Sequence, residues 1–202
     1  MTKIKLCGLS RSCDIEAANE WNPEYIGFVF APKSRRYVTP QKAAGLRQIL
    51  APGIQAVGVF ADETPEHVSA LLNQGVIDMA QLHGSENEAY IRCLRTLTDR
   101  PIIKAFRMET EETVTEAGRS SADFILLDSG AGTGTVFDWE WIKNLKRPYF
   151  LAGGLSPDNI EKAVTALCPY GVDVSSGIET DGYKDKEKMA AFIAAVRKEE
   201  RL

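Results

Sequence analysis

The chain has 202 residues, of which 44% are apolar and 26% charged, the profile of one globular domain over 1–202 rather than of a fibrous, disordered or disulfide-dense chain. Twenty-four Lys and Arg against 28 Asp and Glu give a net charge of −4, which argues against nucleic acid or an anionic membrane as partner. No apolar run reaches the roughly eighteen residues of a membrane span, and the N-terminus shows no signal-peptide core with a cleavage site, so the expected location is the cytoplasm.

Short apolar runs bounded by turn signals recur along the chain: IKLC (4–7), YIGFVF (25–30), QAVGVF (55–60), IDMAQL (77–82), PIIKAF (101–106), DFILLD (123–128), YFLA (149–152) and GVDVSS (171–176). Near-continuous apolarity is what a parallel strand buried on both faces requires. The starts lie roughly 21 to 30 residues apart, room for one strand, one loop and one helix each. Helical stripes fall between them. They are Leu46, Ile49 and Leu50; Val68, Leu71 and Leu72; Tyr90, Cys93, Leu94 and Leu97; Ile160, Ala163, Val164 and Leu167; and Met189, Phe192, Ile193 and Val196. The segments 109–119 and 139–146 are weakly patterned. Thr39-Pro40, Thr64-Pro65 and Ser156-Pro157 each place a capping hydroxyl before a proline suited to the first helical turn.

Eight such units with no linker or low-complexity stretch predict a compact (β/α)₈ barrel, in which eight parallel strands close and leave no edge. An open doubly wound sheet usually places a glycine fingerprint after its first strand, whereas here the glycine-rich turns follow the sixth, seventh and eighth runs. The Gly130-Ala131-Gly132-Thr133-Gly134 run lacks the fingerprint's spacing and context and reads as a mobile loop.

A barrel builds its site at the C-terminal ends of the strands, and those ends are polar here. They offer Cys7-Gly8, then Lys33-Ser34-Arg35-Arg36, His83-Gly84, Arg107, Asp128, Gly153-Gly154 and Ser175-Ser176-Gly177. Cys7 reads either as a small packed thiol or as a reactive one, with Gly8 leaving room for a ligand. Asp128 is either a turn-forming carboxylate or the acid partner of Cys7 across the mouth. Two groups of different basicity suit a proton-transfer isomerisation, provided burial or substrate raises the proton affinity of Asp128 and the thiol ionises.

Gly153, Gly154 and Gly177 place bare backbone where barrels often cradle phosphate, with a short helix expected after the eighth run. Arg36 is a candidate clamp for a substrate carboxylate, although Lys33, Arg35 and Arg36 also fit a solvated charge run. His83 is either a neutral donor in the mouth or a packed histidine, and His67 falls on a helical surface. Cys13, Cys93 and Cys168 fall on helices or their ends, without CxxC pairing. Two histidines without metal-ligand spacing make a metal site unlikely to form.

The motifs KIKLCGLSR (3–11), YIGFVFAPKSRRYV (25–38), AVGVF (56–60), QLHG (81–84), LLDSGAGTGTVFDW (126–139), LAGGLSPDNI (151–160) and VDVSSGIE (172–179) together resemble those of phosphoribosylanthranilate isomerases, barrel enzymes of tryptophan biosynthesis. The resemblance spans essentially the whole chain. It implies an Amadori rearrangement of a small phosphoribosyl substrate, with no cofactor and no metal, by a monomer or homodimer. Carried over by position, Asp128 matches the general acid, Cys7 the general base, and Arg36 the residue near the anthranilate carboxylate. Gly154 and Gly177 lie in the segments that offer N–H groups to phosphate. Asp62 stands where many relatives have Asn, Arg35 where proline is frequent, and Ala31 where an aromatic is frequent. A histidine-pathway or dual-pathway isomerase would share the cradle, but the pattern there has aspartate at the position of Cys7. A non-catalytic phosphosugar-binding barrel would explain the glycines but not the acid and the thiol.

Overall fold

The computed structural model describes residues 1–130, 139–142 and 145–198. Eight parallel strands close into a barrel in chain order: β1 (Lys3–Cys7), β2 (Tyr25–Val29), β3 (Gln55–Phe60), β4 (Met79–Leu82), β5 (Ile102–Arg107), β6 (Phe124–Asp128), β7 (Tyr149–Ala152) and β8 (Gly171–Val174). The apolar runs become the strands, with ends that move by a residue or two. Both faces are covered, so almost every strand residue is buried.

The α-helices described are α1 (Ser12–Trp21), α2 (Pro40–Gln48), α3 (Pro65–Asn73), α4 (Glu88–Arg95), α5 (Glu111–Arg119), α6 (Ile160–Leu167) and α7 (Lys186–Lys198). Thr39 and Thr64 cap α2 and α3 as expected, accepting from the N–H of Lys42 and of His67. Ser156 does not cap a helix that begins at Pro157. Residues 157–159 form a turn first, and the Asn159 side chain ties that turn down by accepting from Ser156 N and donating to Gly154 O.

The weakly patterned segment 109–119 contains α5, whereas 139–146 yields a four-residue 3₁₀ helix, Trp139–Ile142, among its described residues. The sequence shows no apolar stripe for α1, because its inward face is Asp14, Ile15 and two alanines. Two expected faces rotate. α4 buries Ile91 and Leu94 and leaves Cys93 and Leu97 exposed, and the end of α2 buries Leu46 and Leu50 but exposes Ile49. The α7 stripe, Met189, Phe192, Ile193 and Val196, is buried throughout.

The barrel interior is layered. Its floor is aromatic, with Phe150 meeting Tyr25, Phe124 and Tyr170 edge-on at 5.4–5.9 Å between ring centroids. Val57, Met79, Ile103 and Leu126 fill the middle, and Cys7, Val29 and Val59 form an upper cluster under the mouth. Lys5, Gln81 and Asp173 break this apolar filling, all three buried. Lys5 stands opposite Asp173 in the β1–β8 register, and its Nζ lies 2.9 Å from Asp173 Oδ2.

Cys168 ends α6 in the left-handed region, with φ of 43°. A side chain there costs about 1–2 kcal/mol, offset in part by the chain entropy that glycine adds to the unfolded state. Cys168→Gly is expected to raise stability by up to about 1 kcal/mol in denaturant titrations, and a lowered midpoint would show that the cap is unstrained.

Candidate active site

The strand ends converge on a cavity of about 320 Å³ whose lining includes Cys7, Arg36, His83, Asp128, Asp173 and Ser175. A larger groove of about 420 Å³, lined by α5 residues and by Trp141, Leu145, Lys146 and Arg147, lies outside the barrel and away from the strand ends. The mouth brings together groups from β1, β2, β4, β6 and β8. Among the described residues, no group of three or more His, Cys, Asp or Glu is placed to hold a metal ion.

Cys7 is the last residue of β1, and its side chain enters the upper cluster. Gly27, its register partner on β2, makes the space: a Cβ there would stand 2.7 Å from the Cys7 sulfur. Burial pushes the thiol above its ordinary pKa, and Asp173 adds to that rise. Lys5, by charge and hydrogen bond, and Lys184, by charge, oppose it without cancelling it. The unliganded site therefore holds Cys7 as a thiol at neutral pH.

Asp128 ends β6 and receives Gly130 N on Oδ1 at 2.9 Å and His83 Nε2 at 3.2 Å from Oδ2. The Gln81 side chain lies 2.8 Å from His83 Nδ1 and braces the ring, with Nε2 aimed at Asp128. The structure places His83 in the cavity lining rather than packed in the core. The sequence also called for a proton affinity raised at Asp128 by burial or by substrate, and in the unliganded structure burial alone does not raise it. Burial acts in that direction, but the His83 hydrogen bond, the Gly130 N–H and the charges of His83 and Arg107 outweigh burial and hold the carboxyl below its usual range.

Arg36 reaches the mouth from the loop after β2 and is not a merely solvated charge. Its Nε and Nη2 donate to the two oxygens of Glu179 at 2.6 and 2.7 Å, a bidentate pair. Glu179 lies on a hairpin after β8, formed by β9 (Glu179–Thr180) and β10 (Tyr183–Lys184). Lys184 Nζ grips the same carboxylate at 2.6 Å and Ser175 O at 2.9 Å. Gly8, with φ of +80°, does leave room, but the aliphatic stem of Arg36 fills it rather than a ligand.

Gly153 and Gly154, both at positive φ, line the mouth together with Ser176. Gly177 does not line it. It sits in a three-residue 3₁₀ helix, Ser176–Ile178, where a Cβ would collide with the Leu155 carbonyl, so its role is close packing of the two loops. Arg107 is largely exposed and paired with Glu109 at 3.1 Å. His67 is half-buried beside Glu63, and Cys13, Cys93 and Cys168 are exposed, all four away from the cavity. Asp62 holds φ of +57°, a conformation open to Asp and Asn more than to other non-glycine residues. The expected mobile loop lies, beyond Gly130, outside the described residues.

Sequence reasoning missed Lys5, Asp173, Gln81, Glu179 and Lys184. The first three carried a usable signal, since each is a polar residue at the inward parity of an otherwise apolar strand, and Lys5 is two residues from Cys7.

The sequence profile of N-(5'phosphoribosyl)anthranilate (PRA) isomerase matches residues 4–195. The chain is 42% identical over 207 residues to N-(5'-phosphoribosyl)anthranilate isomerase of Clostridium acetobutylicum, covering 98% of this chain and 99% of that one. It is 40% identical over 202 residues to the enzyme of the same name from Endomicrobium trichonymphae, with 98% and 99% covered. A solved phosphoribosyl anthranilate isomerase in complex with reduced 1-(o-carboxyphenylamino)-1-deoxyribulose 5-phosphate superposes with a TM-score of 0.87 at 33% identity, covering 98% of this chain and all of that one.

Asp128 owes its depressed pKa largely to the His83 contact. His83→Asn removes that hydrogen bond and its charge, so the carboxyl should titrate at higher pH than in the parent, as followed by carbon NMR of the Asp128 side chain. An unchanged titration would mean that Gly130 N–H and Arg107 suffice.

Proposed function

Because this chain belongs to the N-(5'-phosphoribosyl)anthranilate isomerase family, we propose that Cys7 and Asp128 divide between them the proton transfers of the reaction. The protein is an isomerase of tryptophan biosynthesis. It converts N-(5-phosphoribosyl)anthranilate, by Amadori rearrangement, to 1-(2-carboxyphenylamino)-1-deoxyribulose 5-phosphate. The observation that supports the division of roles is the placement of a carboxyl on β6 and a thiol on β1 around one cavity, in opposed electrostatic surroundings.

In this reading Asp128 gives its proton to the ribose ring oxygen. The C1′–O bond breaks, and the nitrogen lone pair forms the C=N bond of a Schiff base. Cys7, as thiolate, takes the proton from C2′, and the C–H electron pair moves toward nitrogen to give an enolamine. Loss of the enol proton and protonation of C1′ then give the ketone. Arg36, held in plane by Glu179, binds the anthranilate carboxylate through its remaining N–H groups, and backbone at Gly153–Gly154 meets the phosphate.

Before substrate binds, the protons stand the other way round, with Cys7 protonated and Asp128 ionised. Binding reverses this at Asp128. The substrate brings two anionic groups and displaces water, and both changes raise a carboxyl's proton affinity. Cys7 must still ionise.

The site residues described all come from one chain, so a monomer is competent and a homodimer is compatible. No described helix is long and apolar enough to cross a membrane. A working thiolate needs a reducing compartment, which supports the cytoplasm.

Loss of substrate fluorescence during incubation with N-(5-phosphoribosyl)anthranilate measures the reaction. Cys7→Ala and Asp128→Asn should each lower kcat by about 10²- to 10⁴-fold in folded protein. Near-normal turnover in either would remove that residue from the chemistry. Arg36→Met should raise KM far more than it lowers kcat. The raised thiol and depressed carboxyl also fix the pH profile. Across the neutral range, kcat/KM should be flat, because the thiolate fraction gained with pH is offset by the Asp128 acid fraction lost. kcat should climb by up to about tenfold per pH unit, because in the complex Asp128 keeps its proton while the thiol ionises. A flat kcat would instead favour the exchanged roles, with the thiol as acid and the carboxylate as base.

A further inference from the structure

We propose that Lys5, clamped inside the barrel by Asp173, is the positioning residue that holds Cys7 in its thiolate form during turnover. This deepens the reading of Cys7 as general base and rests on it.

The geometry carries the argument. Lys5 and Cys7 are two residues apart on β1, so both side chains point inward, one layer above the other. Lys5 is wholly buried, and its Nζ donates to Asp173 Oδ2 at 2.9 Å. A buried ammonium has three N–H groups to place, and the thiol is its neighbour on the inward face of β1. Asp173 is only half engaged. Among the described residues its Oδ1 is buried without a partner, and the residue lines the cavity, so the pair does not close on itself as a structural ion pair would.

Charge balance points the same way. The groups that face Cys7 are Lys5 on its own strand, Asp173 on β8, Lys184 on β10 and Arg36 from the loop after β2, while β2 and β3 present only Gly27, Val29 and Val59. With Glu179, which neutralises part of Arg36 and Lys184, the cluster holds three cations and two carboxylates. The surplus positive charge is what one thiolate would balance. Burial works to strip the proton from Lys5, but Asp173 and Cys7 outweigh it and keep the ammonium above the usual amine range, so the cation is present at neutral pH.

The test uses the full chain with Cys13, Cys93 and Cys168, all exposed, changed to serine, which leaves Cys7 as the single thiol. Thiolate absorbance followed against pH gives its titration, and kcat and KM are measured in parallel. Lys5→Met should move the Cys7 titration up by at least about one pH unit and lower kcat at neutral pH about tenfold, with KM little changed and activity regained at higher pH. Lys5→Arg should restore most of the thiolate, and Asp173→Asn should move the titration down. A folded Lys5→Met protein with the parental titration overturns the proposal. Should Lys5→Met fail to fold, Asp173→Asn decides: a titration that does not fall overturns it equally. If the titrations move as stated while kcat ignores them, the general-base reading of Cys7 fails and the Lys5 assignment stands.

Discussion

The seam between β1 and β8 is the constraint on which the rest of this structure depends. A parallel barrel closes only when its first and last strands find one register, and the register adopted sets Lys5 opposite Asp173 inside the wall. A slip of one residue would turn Lys5 out among the helices and leave a carboxylate alone in the interior. Burying such a pair costs several kcal/mol for each ion, and well-packed apolar residues in its place are often neutral or stabilising. Packing alone therefore gives no reason for it. Its position gives one, because the layer above holds Cys7 while the layer below is an aromatic floor with no ionic group. The charge at the seam acts on the thiol above it.

Upward, the site is organised as two opposed electrostatic halves. On the β6 side, donors surround Asp128: a backbone N–H from Gly130 and a ring N–H from His83, which Gln81 braces from behind. On the β1 side, burial dominates and keeps a proton on sulfur. The two environments push the pair apart by means that substrate can alter. A bound anion beside Asp128 and the exclusion of water both reduce the preference for carboxylate, whereas the buried cations near Cys7 are already in place. The work of binding thus falls on one half of the site, and the other half is prepared by the fold.

The sequence shows the strands more clearly than the helices, for a physical reason. A strand covered on both faces is apolar along its whole length, so IKLC, QAVGVF and YFLA could be read directly. The helices are short and covered on one side only, so a stripe of three or four residues tolerates a rotated alternative. Cys93, Leu97 and Ile49 were placed on buried faces that belong to their neighbours. At the site, Cys7, Arg36 and Asp128 were legible because each is a polar residue at the end of an apolar run. Lys5 and Asp173 were not, because a charge inside a strand reads as a weakness of the strand until a partner is known, and the partner lies 168 positions away. Glu179 and Lys184 reach Arg36 through a hairpin no periodicity announces. The depressed carboxyl at Asp128 was equally out of reach, since it depends on where His83 points.

One arrangement recurs at both ends of the mouth, and it explains why so many charges sit in so small a volume. Each of three cations around the mouth is paired with a carboxylate: Lys5 with Asp173, and Arg36 and Lys184 with the shared Glu179. A free arginine would sample many rotamers and lose that freedom on binding, at about 0.5–1.5 kcal/mol for a side chain of this kind. The bidentate Glu179 contact removes the freedom in advance and still leaves N–H groups for another anion. Lys5, wholly buried, is held in the same way by Asp173. A carboxylate paired with each cation lowers the net charge that must be buried. The field in the mouth is thereby built during folding, and substrate meets donors that no longer need to reorganise.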